Sequence, residues 1–447
     1  MRAYAQVALP WSDPVAALGR VADQPWAIGF LSGGSQPGAR WSYVAAEPAK
    51  TLSLRPIDEA EPFAALAELA GPVVEPDPNG PPFQGGVAGL ACYELADRLE
   101  ALRLPRLGRW PDLAAARYPA VLAFDHAERR VLALGRGAEP AEAEAAAARA
   151  AAWLDLPAPA PKRLDARLEA DDPAAYEAAV ADVVRRIGEG EIFQANIARR
   201  WRGRLAAKAR PFDLLAALAA DSPAPFAAYL RLRDRVVISN SPERFVQAGR
   251  EGEGLLARTE PIKGTAPRGA DPAADAAQAA ALAASEKDRA ENLMIVDLMR
   301  NDLSRVCRAG GVAAPELFTV ATFANVHHLV STVTGRLAEG RSALDLLAAC
   351  FPPGSITGAP KVQAMKVIAG HEAPRGPFFG SMFLLGADGT LDSNVLIRTA
   401  AFTLERDGWH VEARAGAGIV ADSIPALERQ ETEAKISALA AALGGAR

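Results

Sequence analysis

Short runs in which apolar and polar residues alternate fill the middle of the chain: EIFQANIARRW, FAAYLRL, RVVISN, ERFVQA and GLLARTE, between residues 191 and 260. A period of two, punctuated by turn residues, marks strands with one face turned to a core, so this stretch is predicted to be a series of strands. Ahead of it the period changes. Tyr176, Val180, Val183, Val184 and Ile187 recur at helical spacing behind Asp172-Pro173, a cap followed by proline at the first helical position, and Gly188 and Gly190 close the segment. Further helices are predicted near 272–284, 286–307, 343–349, 360–369 and 425–443, with VHHLVSTVTG, SMFLLGAD, NVLIRTAAF and HVEARAGAG as strands between them. In the first 155 residues strand-like runs lie at 41–45, 86–93 and 120–124, before an Ala/Glu-rich helix at about 139–154. LPAPAPK, at 156–162, cannot continue that helix because proline removes donors and restricts the residue before it. The chain therefore divides into an N-terminal region, 1–155, a Pro-rich linker, 156–172, and a second domain, 173–447. Strands outnumber crossover helices, which argues against a parallel doubly wound sheet and for an α+β fold, with antiparallel sheets and helices packed outside.

Charge narrows the function. With 49 Lys and Arg against 54 Asp and Glu, a formal charge of −5, and no basic run, neither nucleic acid nor an anionic membrane is expected as partner. No apolar run approaches the roughly 18 residues of a membrane span, and MRAYAQVALPWSDP lacks the features of a signal peptide, so a cytoplasmic protein is expected. Cys92, Cys307 and Cys350 are too few and too scattered for a disulfide framework or a thiolate zinc site, and the five histidines form no HExxH pattern. Any metal would be hard and held by oxygen.

Two helices could supply that oxygen. Asp288 and Glu291 share one helical face, as do Glu428, Glu431 and Lys435, and such a set suits Mg²⁺. Two plainer readings stand beside it: Ser285-x-x-Asp288 has the form of a capping box, and Glu428 and Lys435 could be a solvated face. The loop from Gly354 to Lys361, GSITGAPK, opens a helix and offers free N–H groups to an anion, or is simply a turn; it lacks the Walker A spacing. Gly416-Ala-Gly418 either lets backbone approach a ligand or forms a bulge. Lys263 stands in a Pro/Gly-constrained loop soon after a strand. A lysine of ordinary pKa, about 10.4, is neutral in only about one molecule in 2,500 at pH 7, so it is either a solvated charge or a nucleophile activated by its surroundings.

Read in order, FQANIARR, SPERF, PIKGTAPRG, DRAENLMIVDLMRND, HHLVS, PGSITGAPK, DSNVLIRTA, GAGIVADS and QETEAK resemble the motifs of the chorismate-utilising enzymes, over residues from about 173 to 440. ALPWSDP, RWSYVAAEP and GLACYELAD extend the likeness more weakly to the N-terminal region. The resemblance implies an anthranilate synthase component I-like fold, a sandwich of antiparallel sheets. PIKGT, Pro261 to Thr265, is similar to the branch that forms aminodeoxychorismate, where anthranilate synthases carry PIAGT; Gln194 stands where isochorismate and salicylate synthases have a water-activating lysine. The resemblance further implies that Lys263 is the nucleophile, that Glu243 is the acid, and that Glu291 and Glu431 hold Mg²⁺ with Asp288 and Glu428 in support. Arg398, Lys435, Thr357 and the Gly416 backbone would bind the two carboxylates of chorismate, with His328 and Gln194 lining the pocket. Pro353, Phe378 and Phe383-Leu384 depart from the usual pattern. The rival within the family is anthranilate synthase component I. A non-catalytic chorismate-binding subunit is disfavoured because Glu243, Lys263, Glu291 and Glu431 are all present. No cysteine lies in a Gly-rich nucleophile turn, so the ammonia is expected from a separate glutamine amidotransferase subunit.

Overall fold

Strand Ala120–Asp125 is buried along its whole length, and its two faces go to different cores. Val121 and Ala123 join Tyr43, Leu90, Tyr118 and Val237 between two sheets, whereas Leu122 and Phe124 pack outward with Phe212, Ile436 and Leu439. Strand Gly86–Ala91 does the same in the second sheet: Ala88 and Leu90 face inward, Val87 and Ala91 outward. A strand buried on both faces needs no polar alternation, and each large apolar side chain so buried contributes about 1.5–3 kcal/mol. The result is a sandwich of two sheets covered by helices on its outer faces, in agreement with the α+β expectation.

In this computed structural model, which describes residues 3–33, 39–106, 109–252, 254–322 and 326–444, one sheet has twelve strands and the other ten. Their pairings are antiparallel, and both sheets mix strands from before and after the Pro-rich segment: Phe226–Arg231 pairs with Ile28–Leu31, and Ser381–Gly386 with Gly86–Ala91. Helices Glu286–Ser304 and Ala343–Cys350 cover the second sheet through Ile295, Met299 and Leu346, while Pro425–Ala442 covers the first through Ile436 and Leu439.

Helices 173–188 and 272–284 begin as the sequence predicts, each with an aspartate cap, Asp172 or Asp271, accepting backbone N–H groups. Two assignments change. Lys263 is not in a loop but on strand Ile262–Pro267, which pairs with Val326–Leu337 through a register shift between Lys263 and Thr265. The helix predicted to run to 307 stops at Ser304, and Cys307 opens a long, mostly exposed strand, Cys307–Thr322. All three cysteines are buried and free.

Candidate active site

Strand Gln194–Leu205 pairs with Gly408–Ile419 so that Asn196 faces Gly418 and Ala198 faces Gly416. Alternation sends Ala195, Ile197, Ala417 and Ile419 into one apolar cluster with Val180 and Ile368. Gln194, Asn196, Gly416 and Gly418 therefore share the other face. The glycines are required there: a Cβ on Gly416 would lie 2.4 Å from Asn196 Oδ1, and one on Gly418 would lie 2.8 Å from Gln194 Nε2 and 2.9 Å from Lys263 Nζ. The space a side chain would fill at 418 is where the lysine amine and the glutamine amide meet. Gln194 is fully buried, and neither its amide nitrogen nor its oxygen has a protein partner. A buried amide left in that state costs about 1–3 kcal/mol, which a polar ligand would recover.

Lys263 Nζ lies 3.4 Å from Glu291 Oε2, both side chains being largely buried. Glu243, on the turn between strands Arg235–Ser241 and Arg244–Glu251, is 6% exposed. Burial pushes its carboxyl up to about 7, opposed by a hydrogen bond with Ser355 and by the charges of Lys263 and Lys435. Glu243 is thus close to half protonated at neutral pH, beside the amines of Lys263 and Lys435. It shares a cavity of about 10 Å³, room for about one water, with Ser355, Gly354 and Pro353. Lys435 Nζ donates to the Gly416 carbonyl at 2.8 Å and pairs with Glu431 at 2.6 Å.

His328, on strand Val326–Leu337, is buried with Nδ1 3.0 Å from Thr265 Oγ1. Burial and then the charge of Arg398 lower its pKa to about 4, so the imidazole is neutral. Arg398 is itself lowered by burial alone; no carboxylate among the described residues compensates it. A guanidinium in that position awaits an anion.

The four carboxylates predicted for Mg²⁺ come from the first halves of helices Glu286–Ser304 and Pro425–Ala442. Lys287, on the first of these helices, acts electrostatically on both Glu428 and Glu431 of the second, which places the two groups side by side. Glu428 is raised by burial and by Glu431; on Glu431 burial opposes the charge, and Lys435, Lys263 and Lys287 outweigh it, so its carboxyl is lowered. Asp288 lies against Gly264, its Cγ 3.0 Å from where a Cβ would stand, and the Ser285 hydroxyl caps its N–H at 3.3 Å. The capping half of that motif is therefore present. Among the described residues no three of these four carboxylates come within 4.8 Å of one another; lysines stand between them. The donor set, hard carboxylate oxygens of which the buried Glu428 is repelled by Glu431, fits a hard divalent cation.

Two side chains of the GSITGAPK loop are already committed. The Thr357 hydroxyl donates within its own turn, to the Pro353 and Gly354 carbonyls, and Lys361 Nζ is held by Asp302 at 2.5 Å and by the Cys350 and Pro352 carbonyls. Thr357 still meets strand 194–205, through its carbonyl and the Asn196 N–H at 2.7 Å. Sequence reasoning had not singled out Ser355, Asn196 or Lys287. Ser355 stands inside a recognised motif, but only the fold brings it to Glu243. A roomier cavity, about 1060 Å³, opens near Trp110, Arg202 and Arg414 at the far end of strand 194–205. Arg414 pairs there with Glu412 and Arg109 with Glu405, and the cavity contains none of the groups described above.

The profile of the chorismate binding enzymes matches residues 30–441. Aminodeoxychorismate synthase component 1 of Klebsiella aerogenes is 38% identical over 98% of each chain. Anthranilate synthase component 1 of Streptomyces coelicolor is 41% identical over 96% of this chain and 86% of its own. The crystal structure of anthranilate synthase component I from Streptococcus pneumoniae superposes with a TM-score of 0.78 at 28% identity, covering 91% of this chain and 93% of that one.

Proposed function

The chain belongs to the chorismate binding enzymes, and from that premise we propose that it acts as an aminodeoxychorismate synthase component I, aminating chorismate at C4 with ammonia. The observation that carries the reading is the juxtaposition of a buried Glu243, its carboxyl raised to about 7, with Lys263, whose amine lies over the bare backbone of Gly418.

Hydroxide leaves C4 poorly, so the departing oxygen must be protonated, and Glu243, raised to about 7, keeps its proton in about half the molecules at neutral pH. The amine of Lys263, once deprotonated, attacks C2 as both ring double bonds shift and the C4–O bond breaks, and water departs with the Glu243 proton. Ammonia then adds at C4, both double bonds return and the C2–N bond breaks, which frees the lysine amine, and a proton from the added nitrogen restores the Glu243 acid. Gln194, with its unmet amide, and neutral His328 orient the ring. Arg398 and Lys435, with the Gly416 backbone, receive the two carboxylates, while the Thr357 hydroxyl and N–H are already spent within their own turn. Glu291 and Glu431, supported by Asp288 and Glu428, would hold Mg²⁺, which when bound supplies a counter-charge for the ring carboxylate. Ammonia comes in this reading from a separate glutamine amidotransferase subunit.

Anthranilate synthase component I is the second reading, favoured by the similarity to the Streptomyces chain. It places no demand on a lysine at 263. Intact-mass analysis with chorismate and Mg²⁺ but no ammonia separates the two: an adduct on the wild type, absent from a folded Lys263→Ala variant, is expected. No adduct, together with near-normal turnover of Lys263→Ala, would overturn the lysine route.

A further inference from the structure

Between helix Lys361–His371 and strand Ser381–Gly386 the chain buries an arginine that touches none of the reacting groups. Arg375 is 2% exposed, its guanidinium sandwiched between Tyr93 at 4.6 Å and Phe379 at 4.4 Å. Nη1 donates to the Ile356 carbonyl at 2.9 Å, and Nη2 to the Asn196 carbonyl at 2.7 Å. Nε and Nη2 also grip the two oxygens of Glu372 at 3.0 and 2.8 Å. Glu372 in turn accepts the N–H of Ala198 at 2.8 Å, and Glu94 accepts the N–H groups of Arg375 and Gly376 at 2.6 and 2.8 Å.

Neutralising a buried guanidinium needs only Glu372. The two carbonyls are additional, and they belong to the two segments that build the site. Ile356 ends the turn Gly354–Ile356, whose Ser355 hydrogen-bonds Glu243; Asn196 lies on strand 194–205, two residues from Gln194. The Asn196 N–H to the Thr357 carbonyl is a further tie between the same segments. A planar fork that spans two carbonyls fixes their separation in a way a point charge cannot.

We propose that Arg375 is a positioning residue for chorismate amination, setting the turn Gly354–Ile356 against strand 194–205 so that Ser355 aims the Glu243 carboxyl at the leaving hydroxyl. This rests on the reading of Glu243 as the acid. Arg375→Lys keeps a cation beside Glu372 but cannot span both carbonyls. At saturating ammonium it lowers kcat by about tenfold or more and changes KM for chorismate by less than about threefold, with cooperative thermal unfolding retained. Ser355→Ala also lowers kcat, and the double variant is no slower than Ser355→Ala alone, because both changes act on one group. The charged groups facing Glu243 are Lys263 and Lys435, untouched by either change. The alkaline limb of kcat therefore moves in the same direction in Arg375→Lys as in Ser355→Ala. Glu372→Gln loosens the same fork and reproduces the pattern. Wild-type kcat in Arg375→Lys, or losses that multiply fully with those of Ser355→Ala, would overturn the proposal. Failure of both Arg375→Lys and Glu372→Gln to fold would do the same, since the role would then be structural. A wild-type chain that leaves chorismate unchanged fails at an earlier step and removes the functional reading itself.

Discussion

Glu243 shows how a single burial decides chemistry. Its carboxyl, raised to about 7, is protonated below that pH and charged above it, so kcat should fall as pH rises through about 7. Glu243→Gln cannot deliver the proton and should lower kcat by roughly 10²–10⁴-fold while leaving chorismate binding largely intact. Stability carries the same signature. The unfolded carboxyl releases its proton near 4.5 and the folded one only near 7, so the folded state loses stability as pH rises through that window, by about 3 kcal/mol. Glu243→Gln removes that loss, and its melting temperature should gain on the wild type at pH 8 but not at pH 4. An unchanged pH profile in the variant would show that another group supplies the acid.

At the scale of elements, helices Glu286–Ser304 and Pro425–Ala442 bring together carboxylates that are more than a hundred residues apart in sequence. Mg²⁺ held between them should bind cooperatively with the substrate carboxylate it neutralises. Glu431→Ala should therefore raise the Mg²⁺ concentration needed for half-maximal turnover by at least about tenfold, as titration of initial rates would show. An unchanged Mg²⁺ dependence would remove Glu431 from the ligand set. Most of these elements were legible in the sequence because their apolar period or their caps are local properties; helices 272–284 and 425–442 fall close to where the pattern puts them. Strand Ile262–Pro267 was not, because Pro261, Gly264 and Pro267 punctuate it, and its pairing with Val326–Leu337 is a tertiary fact. Nor was strand Cys307–Thr322 legible, since its mostly exposed face shows no alternation.

For the whole molecule, both sheets draw strands from the two sides of the Pro-rich segment, and Tyr93 and Glu94 reach from the N-terminal region to the arginine behind the site. Ordered motifs made the family readable. What they could not convey is the hydrogen bonding of Ser355 to Glu243, the commitment of Lys361 to the loop, or the unmet amide of Gln194, all of which depend on packing between distant segments. No described helix is long and apolar enough to cross a membrane. The three cysteines are buried, and burial raises each thiol pKa, the opposite of what a glutaminase nucleophile needs. The purified chain should consequently aminate chorismate with high ammonium and stay inert with glutamine until an amidotransferase subunit is added; glutamine-dependent turnover by the chain alone would contradict this. The central claim, amination at C4 without loss of pyruvate, is tested most directly by product identity. With chorismate, Mg²⁺ and ammonium, followed by aminodeoxychorismate lyase, the account predicts 4-aminobenzoate that appears only after the lyase is added; fluorescent anthranilate formed before the lyase is present would contradict it.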